Sequence, residues 1–89
     1  MTLGRVIGTV WATRKDAQLT GLTLQLVEDV GLDGQALGAF TVAVDSVGAG
    51  VGETVLVVSG SSARMTEITK NKPVDAVIVA IVDTLNVEG

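Results

Sequence analysis

Read for hydrophobic and polar positions, the chain is a series of short apolar runs rich in β-branched residues and broken by glycines. "RVIGTVWAT" (Arg5–Thr13) carries apolar groups at both odd and even positions, with Gly4 and Gly8 pointing to bending or close packing. "LTGLTLQLVED" (Leu19–Asp29) alternates, with Leu22, Leu24 and Leu26 on one side and Thr23 and Gln25 on the other. Asp33-Gly34 is a hairpin-type turn signal. "AFTVAVD" (Ala39–Asp45) places Phe40, Val42 and Val44 on one face; "ETVLVVSG" (Glu53–Gly60) and "DAVIVAIVDTLNV" (Asp75–Val87) supply two more strands.

The stretch from Ser61 to Lys72 is the place for helix. Ser61 can cap a short helical turn starting at Ser62, and Pro73 stops anything longer. No segment offers a parallel crossover helix, so the sheet is expected to be mostly antiparallel. The fold class is therefore mainly β: a small five-stranded OB-like antiparallel β-barrel with one short helical turn, spanning residues 1–89 as one domain. Arg5–Thr13, Glu53–Gly60 and Asp75–Val87 are apolar on both faces, whereas a solvated barrel wall alternates. Two-faced strands predict an interior packed on the core and an exterior packed on a neighbour.

Composition sharpens that inference. In 89 residues, 47% are apolar and the mean hydropathy is +0.53. A domain this small buries only about 60–65% of its unfolded surface, so one core does not hide that much apolar area. Self-association follows. Cysteine and histidine are both absent, which removes disulfides, thiol ligands and the commonest general base. No cofactor and no metal site are expected. The net charge of −4 and the pI of about 4.4 repel phosphate backbones on average, and Trp11 and Phe40 are too few aromatics for a base-stacking platform. The longest apolar run, Ala76–Val82, has seven residues, too short for a membrane helix. A cytoplasmic chain without nucleic-acid or membrane partners is the expectation.

The segment "VGAGVGET" (Val47–Thr54) is the one motif that suggests nucleotide chemistry. It fails in detail. Counting back from Gly52, the first glycine of a phosphate loop falls on Val47, and the lysine position holds Glu53. The dinucleotide fingerprint fails at the same residue, since its third glycine is also Glu53. Both motifs need a following helix, and "TVLVV" is a strand. Gly48, Ala49, Gly50, Val51 and Gly52 instead form a loop without bulk or charge, suited to a place where several backbones converge, such as the hub of a ring.

Other candidates are sparse. Asp45 and Asp83 end apolar strands, where a carboxylate serves to accept backbone N–H groups. Ser46 has no histidine to activate it. Ser61, Ser62 and Arg64, in "GSSAR", sit at a defined turn, where a guanidinium fork suits a bridge to carboxylates or carbonyls of a second subunit. Trp11 reads as core or interface filler.

"VAVDSVGAGVGETVLVVSGSSAR" followed by "PVDAVIVAIVDT", with "LGRVIGTVWATRKDAQLTGLTLQLV" ahead of them, resembles the bacterial microcompartment vertex proteins of the EutN/CcmL type. "VAVDSVGAGVGE" and the end of the chain at Gly89 look closer to the propanediol-utilisation type. The resemblance implies a non-catalytic structural protein, a homopentamer that caps the vertices of a metabolosome or carboxysome shell beside hexameric shell proteins. It implies ring-axis roles for Gly48, Ala49, Gly50, Val51 and Gly52, and subunit-interface roles for Asp45, Ser61, Ser62, Arg64 and Asp83. The alternatives are an OB-fold-like module binding nucleic acid or a small ligand, and a small nucleotide hydrolase.

Overall fold

The computed structural model describes residues 1–88. Five strands form: β1 (Thr2–Val10), β2 (Leu24–Val30), β3 (Ala36–Asp45), β4 (Thr54–Ser59) and β5 (Ala76–Ile81). They close into a barrel in the order β1-β2-β3-β5-β4. The mainly β, five-stranded barrel expected from the sequence is thus the observed architecture. β1 runs antiparallel to β2 and to β4, β2 to β3, and β4 to β5. The seam between β3 and β5 is parallel and short, joining Val44 to Val77 and Asp45 to Ile78. It forms without a crossover helix, because β4 and the segment after it carry the chain back across the barrel.

Several boundaries differ from the sequence expectation. The first strand ends at Val10, opposite Leu24 at the start of β2, so Trp11, Ala12 and Thr13 lie beyond it. The second strand begins at Leu24, since Ala17–Leu19 form a 3₁₀ turn capped by Asp16 and Gly21 turns the chain with φ +86°. The last strand stops at Ile81, where β4 offers its last ladder partner, Val55. The second 3₁₀ turn spans Gly60–Met65 with Ser59 as its N-cap; Ser61 lies inside the turn and is not the capping residue. Asp33 closes the β2–β3 hairpin as expected, its Oδ1 accepting from the Gln35 amide at 3.0 Å.

The barrel interior is built from small branched side chains: Val6, Val27, Ala43, Ala49, Val55, Val57, Ala76 and Ile78. On β2 the inward side is Gln25 and Val27, while Leu24 and Leu26 of the leucine series face outward and are half-buried. Five strands leave a narrow bore, which accepts valine and alanine. Gly4 marks the tightest approach: a Cβ there would collide with Val27 Cγ1 and stand 3.2 Å from the Glu28 carbonyl oxygen.

The outer wall is covered in part by the chain itself. Val44, Ala63, Val74 and Val77 form a second cluster, with Leu19, Leu22, Leu24, Val58 and Val79 packed around it. The outward residues of β3, β4 and β5 therefore find cover under the two 3₁₀ turns, and not only from a neighbour. Elsewhere the wall is bare. Phe40 is 57% exposed and Val42 48%. Trp11, at 89% exposure, is not core filler. No helix among the described residues is long and apolar enough to cross a membrane.

Gly4→Val is expected to lower stability by about 1–3 kcal/mol through overpacking against Val27. Gly8→Ala is the control, since a Cβ at Gly8 meets nothing within 4 Å. Urea denaturation should separate the two; equal midpoints would remove the close-packing role assigned to Gly4.

Candidate functional site

The loop from Ser46 to Glu53 leaves the end of β3, crosses the mouth of the barrel and enters β4. Its organiser is Asp45. Oδ1 accepts from the Val47 and Gly48 amides, both at 3.0 Å, and Oδ2 accepts from the Ala49 amide at 2.8 Å. Gln25 Nε2 donates to the same Oδ2 at 3.3 Å and to the Ala49 carbonyl oxygen at 2.9 Å. Gln25 Oε1 in turn accepts from the Thr9 hydroxyl at 2.9 Å. One carboxylate thereby gathers three successive backbone N–H groups, and a buried amide holds the assembly to the barrel wall. Ala49, 6% exposed, is pushed into the inner cluster as a plug.

The far side of the loop is tied as firmly. The Gly50 amide donates to Glu53 Oε1 at 2.6 Å, and the Glu53 amide returns to the Gly50 carbonyl at 3.1 Å. Gly52 N donates to the Val6 carbonyl at 2.8 Å. The Ser46 hydroxyl donates to the Ile78 carbonyl at 2.5 Å. Gly48 and Gly52 are required by the backbone, with φ of +76° and +93°. Gly50 has an ordinary φ, and a Cβ on it would meet only Glu53 Oε1, at 3.4 Å. Within one chain the loop is therefore ordered but not crowded. Its backbone amides at Val47, Gly48, Ala49 and Gly50 are already taken by carboxylates of the chain, so they are not a cradle for an anion.

The other sequence candidates fall into two places. Ser61, Ser62 and Arg64 share the second 3₁₀ turn and all are exposed; Arg64 Nη1 donates to the Val74 carbonyl at 3.3 Å. Asp83 stands apart, just beyond β5, lining a surface cleft of about 280 Å³ with Leu3, Asp33, Thr54 and Leu85. Val51, 68% exposed, projects from the glycine loop. Asp45 accepts backbone N–H groups, as the sequence suggested for a carboxylate at a strand end.

Sequence reasoning missed Gln25, the polar centre of the loop's anchorage. Its signal was present: an amide in the middle of a leucine-rich strand, on the side that carries Val27. The inward side was hidden because leucine looks more core-like than glutamine. It also missed that Glu53, which argues against a phosphate, is the residue that holds Gly50. No buried side-chain nitrogen or oxygen among the described residues lacks a hydrogen-bond partner. No group of three or more Asp or Glu among them is placed to hold a metal ion.

Comparison with known proteins gives one consistent result. The family described as "Ethanolamine utilisation protein EutN/carboxysome" matches residues 1–83. The microcompartment shell vertex protein PduN of Salmonella typhimurium is 49% identical over 90 residues, covering 97% of this chain and 99% of that one. The carboxysome shell vertex protein CcmL of Synechocystis sp. is 47% identical over 87 residues, covering 98% and 87%. Among solved structures, CcmL of Gloeobacter violaceus superposes with a TM-score of 0.94 at 41% identity, covering 99% of this chain and 91% of that one. The GrpN pentameric microcompartment shell protein from Rhodospirillum rubrum superposes with a TM-score of 0.90 at 43% identity, covering 99% and 100%.

Asp45→Ala removes a charged acceptor from three amides and should cost about 1–3 kcal/mol. Gln25→Leu leaves the Ala49 carbonyl and the Thr9 hydroxyl short of a partner and should cost a similar amount. Hydrogen exchange at the Gly48 and Ala49 amides should accelerate in both variants. Unchanged protection there would exclude Asp45 and Gln25 as the anchors of the loop.

Proposed function

The chain belongs to the EutN/CcmL family of microcompartment shell vertex proteins, and on that premise we propose that five copies form the ring that closes a vertex of a bacterial microcompartment shell. The observation that carries the reading is the outer wall. A barrel whose bore is already full still displays Phe40, Val42, Trp11 and Met65 to solvent. Apolar area on that scale calls for a protein partner. A stable protein interface buries roughly 1,200–2,000 Å² in total, which a barrel of this size supplies from its two flanks.

The role is mechanical. Flat sixfold tiles extend indefinitely, so a closed shell needs fivefold points to concentrate curvature. A head-to-tail contact whose rotation closes after five copies provides one. The rim of such a ring then meets hexameric shell proteins, which are its second partner. The glycine loop faces the ring axis in this reading. Gly48, Gly50, Val51 and Gly52 keep the central opening free of bulk and charge; Ala49, expected beside them, points into the barrel instead, and Asp45 and Gln25 hold the loop in one shape. Ser61, Ser62, Arg64 and Asp83 are exposed, as ring or rim contacts need to be. The protein works inside the cell as part of a shell. The nucleic-acid alternative draws no support: the chain carries a net charge of −4 and none of its named relatives is such a binder.

Native mass spectrometry of the chain at micromolar concentration is expected to show five copies. A stable monomer would end this reading. Gly50→Trp separates the loop's two levels: Gly50 is exposed and a Cβ on it meets only Glu53 Oε1, so the fold should survive by circular dichroism. The ring should weaken. An indole tolerated by a pentamer of unchanged stability would move the loop away from the axis.

A further inference from the structure

Beyond the wall's apolar area, charge is sorted in space. Asp33 and Asp83 line the cleft of about 280 Å³ that rests against Leu3 of β1 and Thr54 of β4. Glu28 and Asp29, at the end of β2, pair with Arg5 and Gly4 of β1 just beside it. The local base, Arg5, already donates through Nη2 to the Gly34 carbonyl at 3.1 Å. The side of the chain around this cleft is therefore acidic, and Leu32 and Leu85 stand exposed along it.

The bases gather elsewhere. Lys72 Nζ donates to the Gln18 carbonyl at 3.2 Å, which ties the β4–β5 connection to the β1–β2 connection that carries Arg14 and Lys15. Arg64 Nη1 donates to the carbonyl of Val74, two residues further on. Lys70 lies on the same β4–β5 connection, which enters the second cluster through Ala63 and Val74 and forms a basic plate on that side of the chain. Asp16, Glu67 and Asp75 share the region, and the five bases Arg14, Lys15, Arg64, Lys70 and Lys72 outnumber them. Met65 and Ile68 are exposed on the same plate. Each face thus presents apolar residues flanked by charge, and the two faces differ in sign.

We propose that these two faces are the two halves of the head-to-tail ring contact: the plate bearing Arg64 on one copy seats against the Asp33–Asp83 cleft of the next copy. This rests on the fivefold-ring reading above and names the partner of Arg64 within it. A ring interface joins two different patches of the same chain. Two patches of one sign repel, whereas patches of opposite sign steer encounter and set the register. The guanidinium is suited to the cleft because its planar fork meets a carboxylate through two parallel N–H groups. The cleft offers carboxylates of that kind, since Asp33 and Asp83 both line it.

Charge reversal tests the pairing, because every interface of the ring is the same. The chain is compared as wild type, Arg64→Glu, Asp83→Arg and the double reversal, by native mass spectrometry and sedimentation at low and high salt. Each single reversal should raise the protein concentration needed for half-assembly by about tenfold or more. The double reversal should recover most of that loss, and high salt should weaken the wild-type ring. Circular dichroism separates misfolding from disassembly; if Arg64→Glu does not fold, Lys70→Glu takes its place. Rings unaffected by the single reversals, or a double reversal no better than the two losses combined, would overturn the pairing. A wild-type monomer overturns the ring itself, whereas a wild-type pentamer indifferent to the reversals overturns only this contact. A reversal that spares the ring but abolishes binding to a hexameric shell protein assigns the face to the rim, and also overturns it.

Discussion

The width of a five-stranded barrel governs this molecule. Closing so few strands leaves a bore that accepts valine, alanine and one isoleucine at the level of Ile78. Larger apolar side chains have to stand outside, whatever their hydropathy. Leu24, Leu26 and Phe40 are on the outer surface for that reason. The chain answers with two partial solutions. It folds two 3₁₀ turns over one sector of the wall, building the second cluster around Val44 and Val77. It leaves the other sectors open. A small barrel with a full bore and a greasy exterior is only half of a structure, and association with its own kind is the natural completion.

The same narrowness explains the glycine loop. A barrel mouth needs a stopper small enough to enter it, and Ala49 is one. Holding alanine in place takes force from outside the bore, since a methyl group contributes little by its own burial. Asp45 supplies that force through the Val47, Gly48 and Ala49 amides, and Gln25 transmits it to the wall. Gly48 and Gly52 allow the tight path with positive φ. A glycine-rich loop with carboxylates at both ends is thus a self-satisfied element. It resembles a phosphate cradle in composition and opposes one in electrostatics, because its amides are spent on the chain's own Asp45 and Glu53.

Assembly then reads as an extension of the fold's own economy of surfaces. The sectors of wall that the 3₁₀ turns leave uncovered carry the apolar area, and the segments that link the strands carry the charge. Arg64 and Lys72 lie on the long connection between β4 and β5, while Asp33 lies in the β2–β3 turn and Asp83 just past β5. None of these residues supports the barrel core. Arg64, Asp33 and Asp83 are exposed, and all three stand outside the two buried clusters.

Much of this was legible along the chain. The turn at Asp33-Gly34, the runs of β-branched residues, the absence of a long helix and the excess of apolar residues together determined a small mainly β barrel that associates. The misfit of Glu53 to any nucleotide motif was equally plain, because charge at a fixed spacing is a local property. What only the tertiary structure decided was direction. Period-two alternation separates two faces of a strand but does not say which is inside, and leucine against glutamine on β2 points the wrong way. Barrel closure assigns Gln25 inward and Leu24 outward. It also decides that Asp45 meets Gln25, twenty residues away in the chain, and that the second 3₁₀ turn begins at Gly60, which leaves Ser61 inside it. These outcomes depend on register among strands distant in sequence, and register is set by how side chains of a given volume fill a closed bore.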